Sequence, residues 1–519
     1  MNSGSFPAPR QGVVPAAILV IVVLYVAALG FGWPQYGTQQ ILAQAGHSIA
    51  GPSEAPRPPH HLTAPPLWAV LPFVLLLGGI AILPLIPGTM HWWESNLNRF
   101  KVAGGLALVT LAYYGFLHHA EIEGHWPAHH VAAPSEGTVN TALVNTILAN
   151  AILQEFVPFI VLLFSLYTIS GGIRIAGDLK AHPLTNAGFM AVGGVLASVI
   201  GTTGAAMLLV RPVLDTNRQR KHVTHTVVIF IFIVCNCGGC LLPIGDPPLF
   251  LGYLEGVPFL WTLRLWREWL FVNSLLLAVY LAMDWLWFYP REATPDIDLD
   301  TRQTHRIRVA GWQINAPLLI GVVLAVALLD PGKVFLGTQW HPWLYLREVL
   351  QLGLVGLSLW LGDHKIRDQN HFTFGAIVEV AALFVGIFIC MQPALQILAS
   401  KGSELGLATP AHFFWATGGL SSALDNAPTY LVFFKAAQSL PPAAGVTPVA
   451  GVDPLILTAI SLGSVFMGAM TYIGNGPNFM VRAIAESSGV KMPSFFGYMI
   501  YSCLILLPIL APMVWLFLM

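Results

Sequence analysis

An all-α polytopic membrane fold follows from three observations on the 519-residue chain. Hydrophobic residues make up 55% and charged residues only 9%, against about 25% charged in soluble domains. Apolar stretches near the length of a bilayer-spanning helix recur throughout. In each half of the chain, two of these stretches are interrupted by Gly-, Asn- and Pro-rich strings. So few charges cannot clothe a water-exposed surface, whereas a lipid-exposed one needs none.

The elements run in order. The first 30 residues carry one Arg and then an apolar run over 13–30. A secretory signal would be shorter and better followed by a cleavage site, so an uncleaved first helix is preferred. Apolar spans follow at 67–86, 102–117, 143–170, 184–210, 227–251 and 269–288. A polar stretch at 290–311, with four Arg and four acidic residues, reads as a linker. The second set lies at 316–329, 349–361, 374–398, 412–434, 455–481 and 495–518. This divides the chain into an N-terminal helix and outer loop (1–66), a first transport repeat (67–288), a cytoplasmic linker (289–312) and a second repeat (313–519).

The net charge of −1 leaves no basic footprint for nucleic acid, and the lipid bilayer is the expected partner. Five cysteines make no disulfide framework. The spacing of Cys235, Cys237 and Cys240 suits a metal or redox site, but small residues where helices pack closely or unwind account for it more simply. The loop residues His47, His60, His61, His118, His119, His125, His129 and His130 are read as solvated. Weak metal binding or pH sensing is the alternative. Neither a resident cofactor nor an enzymatic activity is expected.

Lys and Arg in short loops set orientation. Arg99/Lys101, Arg174/Lys180, Arg211 to Lys221, the linker and Lys365/Arg367 are assigned inside. The stretches 33–66, 118–137 and 439–453 hold one Arg and no Lys together and are assigned outside. The N-terminus is then inside and the C-terminus outside, in a bacterial inner membrane. Span 184–210 has two inside flanks, which a single crossing cannot satisfy. A re-entrant hairpin turning at Gly201-Thr202-Thr203-Gly204 does, with 205–214 as its returning arm. Span 412–434 has the same conflict with opposite sign, and its turn is placed at residues 421–426.

Three markers recur at nearly constant offset. Glu155 matches Glu379, 224 residues on; the string from Gly204 matches that from Asn426, 222 on; and Ile244-Gly245-Asp246-Pro247-Pro248 matches Ile473-Gly474-Asn475-Gly476-Pro477, 229 on. The hairpins open to opposite faces, so the repeats are expected to be inverted. Inverted repeats with broken helices hold their ion and substrate sites near the midplane, because a helix ending inside the membrane leaves backbone groups that protein, water or an ion must satisfy. About eleven spans and two hairpins result.

The candidate ion and substrate residues gather at these breaks. Asp246 and Asp425 are ionisable groups at membrane depth, functional by default. Thr202, Thr203, Asn236, Ser422, Asn426, Asn475 and Asn478 offer neutral donors and oxygens that suit a hard cation. Candidates for carrying the coupled proton are Asp425, Asp246, Glu155 and Glu379. The two glutamates read equally as structural partners of an Arg or a helix end.

Ser422-Ala423-Leu424-Asp425-Asn426-Ala427-Pro428-Thr429, the string from Asn236 through Pro243-Ile244-Gly245-Asp246-Pro247-Pro248, and Tyr472-Ile473-Gly474-Asn475-Gly476-Pro477-Asn478 resemble the ion transporter superfamily. That group spans NhaD-like sodium/proton antiporters, arsenite permeases, citrate–metal carriers and divalent anion/sodium symporters. The resemblance runs from about residue 67 to the C-terminus. It implies two inverted repeats, a homodimer and elevator-type movement. The chain departs from the dicarboxylate symporters, whose hairpin tips carry Ser-Asn-Thr. Here the tips read Thr202-Thr203-Gly204 and Asp425-Asn426-Ala427. The leading expectation is a sodium/proton antiporter, with Na⁺ and H⁺ as transported or coupling ions. The alternative is a cation-coupled carrier of citrate or another organic anion.

Overall fold

The protein is an all-α polytopic integral membrane protein, analysed as a computed structural model that describes residues 13–49, 63–135, 137–292, 305–370, 372–441, 443 and 445–519. Among these, five unbroken helices are long and apolar enough to cross a bilayer: Val13–Gly30, Thr141–Ser170, Pro183–Ile200, Phe259–Arg291 and Phe495–Phe517. Two bent pairs, Leu67–Ile82 with Pro87–Trp93 and Gly375–Cys390 with Gln392–Leu405, bring the number to seven. Three shorter apolar helices, Thr224–Cys240, Trp312–Leu328 and Pro454–Met470, accompany them. The short lengths trace to the Gly, Asn and Pro strings, in which Pro removes a backbone donor and Gly loosens the backbone.

The chain divides into two compact units, and the boundary cuts both sequence repeats. The first unit comprises Met1–Thr168, Pro317–Gly362 and Phe372–Gly402. Small residues let its helices approach closely. A Cβ added at Gly386 would come within 2.7 Å of Ala103, so Asn96–Phe116 and Gly375–Cys390 touch backbone to backbone. Phe159 stacks on Phe384 at 4.9 Å beside this contact. The helix Trp33–Ile49 occupies much of what the sequence reads as an outer loop. His47 lies on it, while His60 and His61 lie outside the described residues.

The stretch 118–137 also departs from a plain loop. Ile122–Gly124 and His130–Ala132 pair as a short antiparallel hairpin. Ile122, 2% exposed, anchors it against Tyr113, Tyr114, Leu143 and Ile147. A three-residue strand is too short to show an alternation in sequence, and Ile122 is its one large apolar residue.

The second unit comprises Ile169–Ala316, Asp363–His371 and Ser403–Met519. It holds two helical hairpins and two broken helices. The first hairpin is Pro183–Ile200 followed by Thr202–Thr216. Its arms are longer than the roughly ten residues that half a bilayer requires, and the returning arm begins at Thr202 rather than Ala205. The second hairpin is Pro410–Ala423 followed by Asn426–Gln438. The first broken helix is Thr224–Val234, a tight turn at Cys237–Cys240, then Pro247–Leu254. The second is Pro454–Met467, a turn at Gly468–Met470, then Gly476–Ser487.

The hairpins and breaks interlock. The segment Pro247–Leu254 packs on the returning arm of the second hairpin, and Gly476–Ser487 packs on that of the first. A Cβ at Gly252 would strike the Tyr430 hydroxyl at 2.2 Å. Cys235, Cys237 and Cys240 are buried free thiols. A Cβ at Gly238 would lie 2.6 Å from the Gly194 Cα, so this string serves close packing.

The polar segment read as a linker ends in a strand. His305–Ala310 forms an antiparallel ladder with Arg174–Asp178. Asn315 Nδ2 donates to the Gly172 carbonyl at 3.0 Å, and Asn370 Nδ2 donates to Ile173 at 2.8 Å. Arg220, read as one of the orienting loop charges, is instead buried. Its Nη1 donates to Asp284 Oδ2 at 3.0 Å, and Asp284 also contacts His225. With Glu292 Oε1 accepting from Arg220 Nε at 3.5 Å, two carboxylates hold this one guanidinium and remove Arg220 from the loop's count.

Gly201, the whole first tip, has φ +81° and ψ 150°. That region is essentially restricted to glycine. Gly201→Ala is therefore expected to lower stability by about 1–3 kcal/mol, seen as an earlier thermal transition of the detergent-solubilised protein. An unchanged transition would mean the tip tolerates a side chain there.

Candidate functional site

Each break creates helix starts, and each start is held by a polar residue. Asp246 immediately precedes Pro247–Leu254, and Asn475 immediately precedes Gly476–Ser487. Thr202 and Asn426 are the first residues of the two returning arms. The four residues meet. Thr202 Oγ1 donates to Asp246 Oδ1 at 2.8 Å, Asn475 Nδ2 to the same oxygen at 3.0 Å, and Asn426 Nδ2 to Asp246 Oδ2 at 2.6 Å. The Thr202 backbone N–H adds a bond to the Gly245 carbonyl at 2.8 Å. Asp246 is 1% exposed. A buried carboxylate is tolerated when hydrogen bonds occupy its lone pairs, and here both oxygens are occupied.

This geometry corrects the register of the repeat. The sequence aligns Gly204 with Asn426, but the helix starts align Thr202 with Asn426. These two reach Asp246 from equivalent places.

A second layer of amides sits behind the first. Asn236 Nδ2 donates to the Ile231 carbonyl at 2.9 Å and to Asn478 Oδ1 at 2.7 Å. Asn478 Nδ2 donates to the carbonyls of Gly468 and Thr471, both at 2.9 Å. With their nitrogens committed, the orientation of these amides is fixed. Asn236 Oδ1 and Asn426 Oδ1 are left buried with no hydrogen-bond partner among the described residues. Both amides border Gly468. A Cβ there would meet Asn236 Oδ1 at 3.1 Å, the Gly474 carbonyl oxygen at 3.2 Å and Asn426 Nδ2 at 3.6 Å. Asn236 Oδ1, with no donor, and the Gly474 carbonyl oxygen thus border a residue with no side chain, and neutral oxygens of this kind suit a hard cation.

The remaining candidates make no hydrogen bond to Asp246 among the described residues. Asp425 accepts from the Ala427 N–H at 3.1 Å and so caps the returning arm of the second hairpin. Thr203 is half-buried, one residue past Thr202. The Ser422 hydroxyl turns back to its own helix, donating to Gly419 O at 2.7 Å. Only its carbonyl is used across the break, by the Thr471 hydroxyl at 2.6 Å. Glu155 and Glu379 belong to the first unit, and the breaks belong to the second. Glu155 lies in a π-helical stretch, Ala149–Phe156, and receives Gln392 Nε2 at 3.4 Å. Glu379 pairs with Arg99 at 2.9 Å. The two glutamates match in sequence yet differ in partner.

Gly468 is the site residue that sequence reasoning missed. A glycine in an apolar helix carries no signal of its own. Only its offset of 229 residues from Gly239, the same as between Asp246 and Asn475, marks it.

No curated protein matches the sequence. The family model CitMHS_2, described as "Putative citrate transport", matches residues 62–518. The match covers both hairpins, both broken helices and every residue bonded to Asp246, and the chain belongs to this family of transporters.

Proposed function

We propose that the protein is a secondary carrier of citrate or a closely related carboxylate, coupled to a cation. The observation that carries this reading is the meeting of four helix starts on the single carboxylate of Asp246. Each start contributes roughly half a positive charge, so four exceed the one negative charge in their midst. Such a place attracts a further anion. The coupling cation is assigned to the place beside Gly468, on Asn236 Oδ1 and the Gly474 carbonyl. The sign of the field favours an anionic substrate over exchange of Na⁺ for H⁺ alone. The charge of the short loops supports an inside N-terminus, an outside C-terminus and inverted repeats.

In this reading Asp246 is a fixed anchor. It ties the two hairpins to the two breaks, so that the substrate and cation sites form together. Asp425 holds the tip of the second hairpin in its bent form through the Ala427 N–H.

The test is uptake of radiolabelled citrate into proteoliposomes that carry a pH dye, under imposed Na⁺ and proton gradients. Citrate should accumulate, and either gradient should raise its uptake. Na⁺-driven proton movement without citrate uptake would overturn the proposal in favour of sodium/proton exchange.

A further inference from the structure

The short hairpin over residues 122–132 holds three side chains in an arrangement that transport does not use. Glu123, His125 and His129 each offer one ligand atom, and these atoms all lie within 4.8 Å of one another. Glu123 Oε2 and His129 Nε2 are 3.7 Å apart. The rings of His125 and His129 meet nearly edge to face at 4.7 Å. Glu123 and His125 are half-buried and His129 is exposed.

The backbone that carries these groups is fixed. Asn150, 2% exposed, clamps both sides of the strand end. Its Oδ1 accepts from the His125 N–H at 2.7 Å, and its Nδ2 donates to the Glu123 carbonyl at 2.9 Å. Ile122 is locked in the core, and His130 covers Gly124, where a Cβ would come within 2.2 Å of its ring. Alternation along the strand then turns Glu123 away from the core that holds Ile122.

We propose that Glu123, His125 and His129 form a binding site for a divalent metal ion of the zinc class. Two imidazoles and one carboxylate select a borderline d-block cation over Ca²⁺ or Mg²⁺, which take oxygen ligands. Ligand atoms on a tetrahedral zinc lie about 3.4 Å apart. The Glu123–His129 pair is already close to that spacing, and small side-chain rotations close the rest. Three protein ligands leave a fourth position for water. Asn150 acts as a positioning residue through the backbone of the two half-buried ligands.

The test uses the full-length, tag-free protein in detergent, stripped with a chelator and titrated with Zn²⁺ by equilibrium dialysis, then with Co²⁺ by absorption spectroscopy. One tight ion per chain is expected, with cobalt d–d bands and no thiolate charge-transfer band. His125→Ala with His129→Ala should weaken Zn²⁺ binding by roughly 100-fold or more, and Asn150→Ala by about tenfold, while His119→Ala changes nothing. Each variant is checked for a monodisperse elution profile and for citrate uptake, which does not depend on these ligands. Unchanged affinity in the double variant, a thiolate band, or no saturable binding to the parent would overturn the site.

Discussion

Asp246→Ala is expected to abolish citrate uptake and to unfold far more readily than the parent. The substitution removes the common acceptor of Thr202, Asn475 and Asn426. Each buried donor left without a partner costs about 1–3 kcal/mol, and three of them at one point exceed what a single domain readily tolerates. Asp246→Asn separates function from folding. Its one oxygen serves Thr202 and Asn475, and its NH₂ group then faces the Asn426 donor on the other side. Asn426 must then flip its amide to meet the new NH₂ group. That flip reverses the amide whose Nδ2 borders Gly468, and so changes what this place offers a ligand. Asp246→Asn is therefore expected to fold nearly as well as the parent while losing uptake by roughly 100-fold, about 2.7 kcal/mol of barrier. Thermal unfolding and uptake measured on the same preparations read the two effects. Parental uptake by Asp246→Asn would refute the role of this carboxylate in holding the site.

Gly468→Ala is expected to weaken the cation's part selectively. The added methyl would lie 3.1 Å from Asn236 Oδ1 and 3.2 Å from the Gly474 carbonyl, in the space that the proposed cation shares. A shift of a few tenths of an ångström accommodates the methyl, so the fold survives. Displacing one ligand raises the cation concentration for half-maximal uptake about tenfold, the equivalent of 1.4 kcal/mol. Gly474→Ala makes the contrast. Its Cβ would stand 2.6 Å from the Gly468 carbonyl and 2.7 Å from that of Ser421. Neither is able to move without moving a helix, and folding itself should fail. If Gly468→Ala leaves the Na⁺ and proton dependence of uptake unaltered, the coupling cation sits elsewhere.

Much of this architecture is legible in residue order. The helix Val13–Gly30 has the bounds of its apolar run, because lipid exposure demands uninterrupted hydrophobicity. The strings around Asp246 and Asn475 declare the breaks, since Pro and Gly end helices for local reasons. The conflict of loop charges points to both hairpins. What depends on distant packing is not legible. The orientation of Asn236 follows from Asn478, which lies 242 residues away. Arg220 reads as a loop charge until Asp284 is found beside it. Glu155 and Glu379 look equivalent in a repeat and meet different neighbours, Gln392 and Arg99. The hairpin at 122–132 carries its fold in Ile122 and in a clamp from Asn150, and no periodicity marks either.

The bonds to Asp246 also set a timetable for biosynthesis. Thr202 lies 44 residues from Asp246 in the chain, Asn426 180 and Asn475 229. At about 5–20 residues per second, a ribosome makes the first partner before the aspartate itself. It supplies the two amides only roughly 10 to 45 seconds later. Throughout that interval the nascent first repeat carries a carboxylate with one hydroxyl partner and no amide. The repeat cannot bury that group until the second repeat arrives. Membrane insertion of the first half and its closure are therefore separate events, and the second half serves as the template on which the first completes its fold. A messenger truncated before Asn426 would yield a chain with every span of the first repeat and no means of closing it, a substrate for membrane proteolysis rather than half of a carrier.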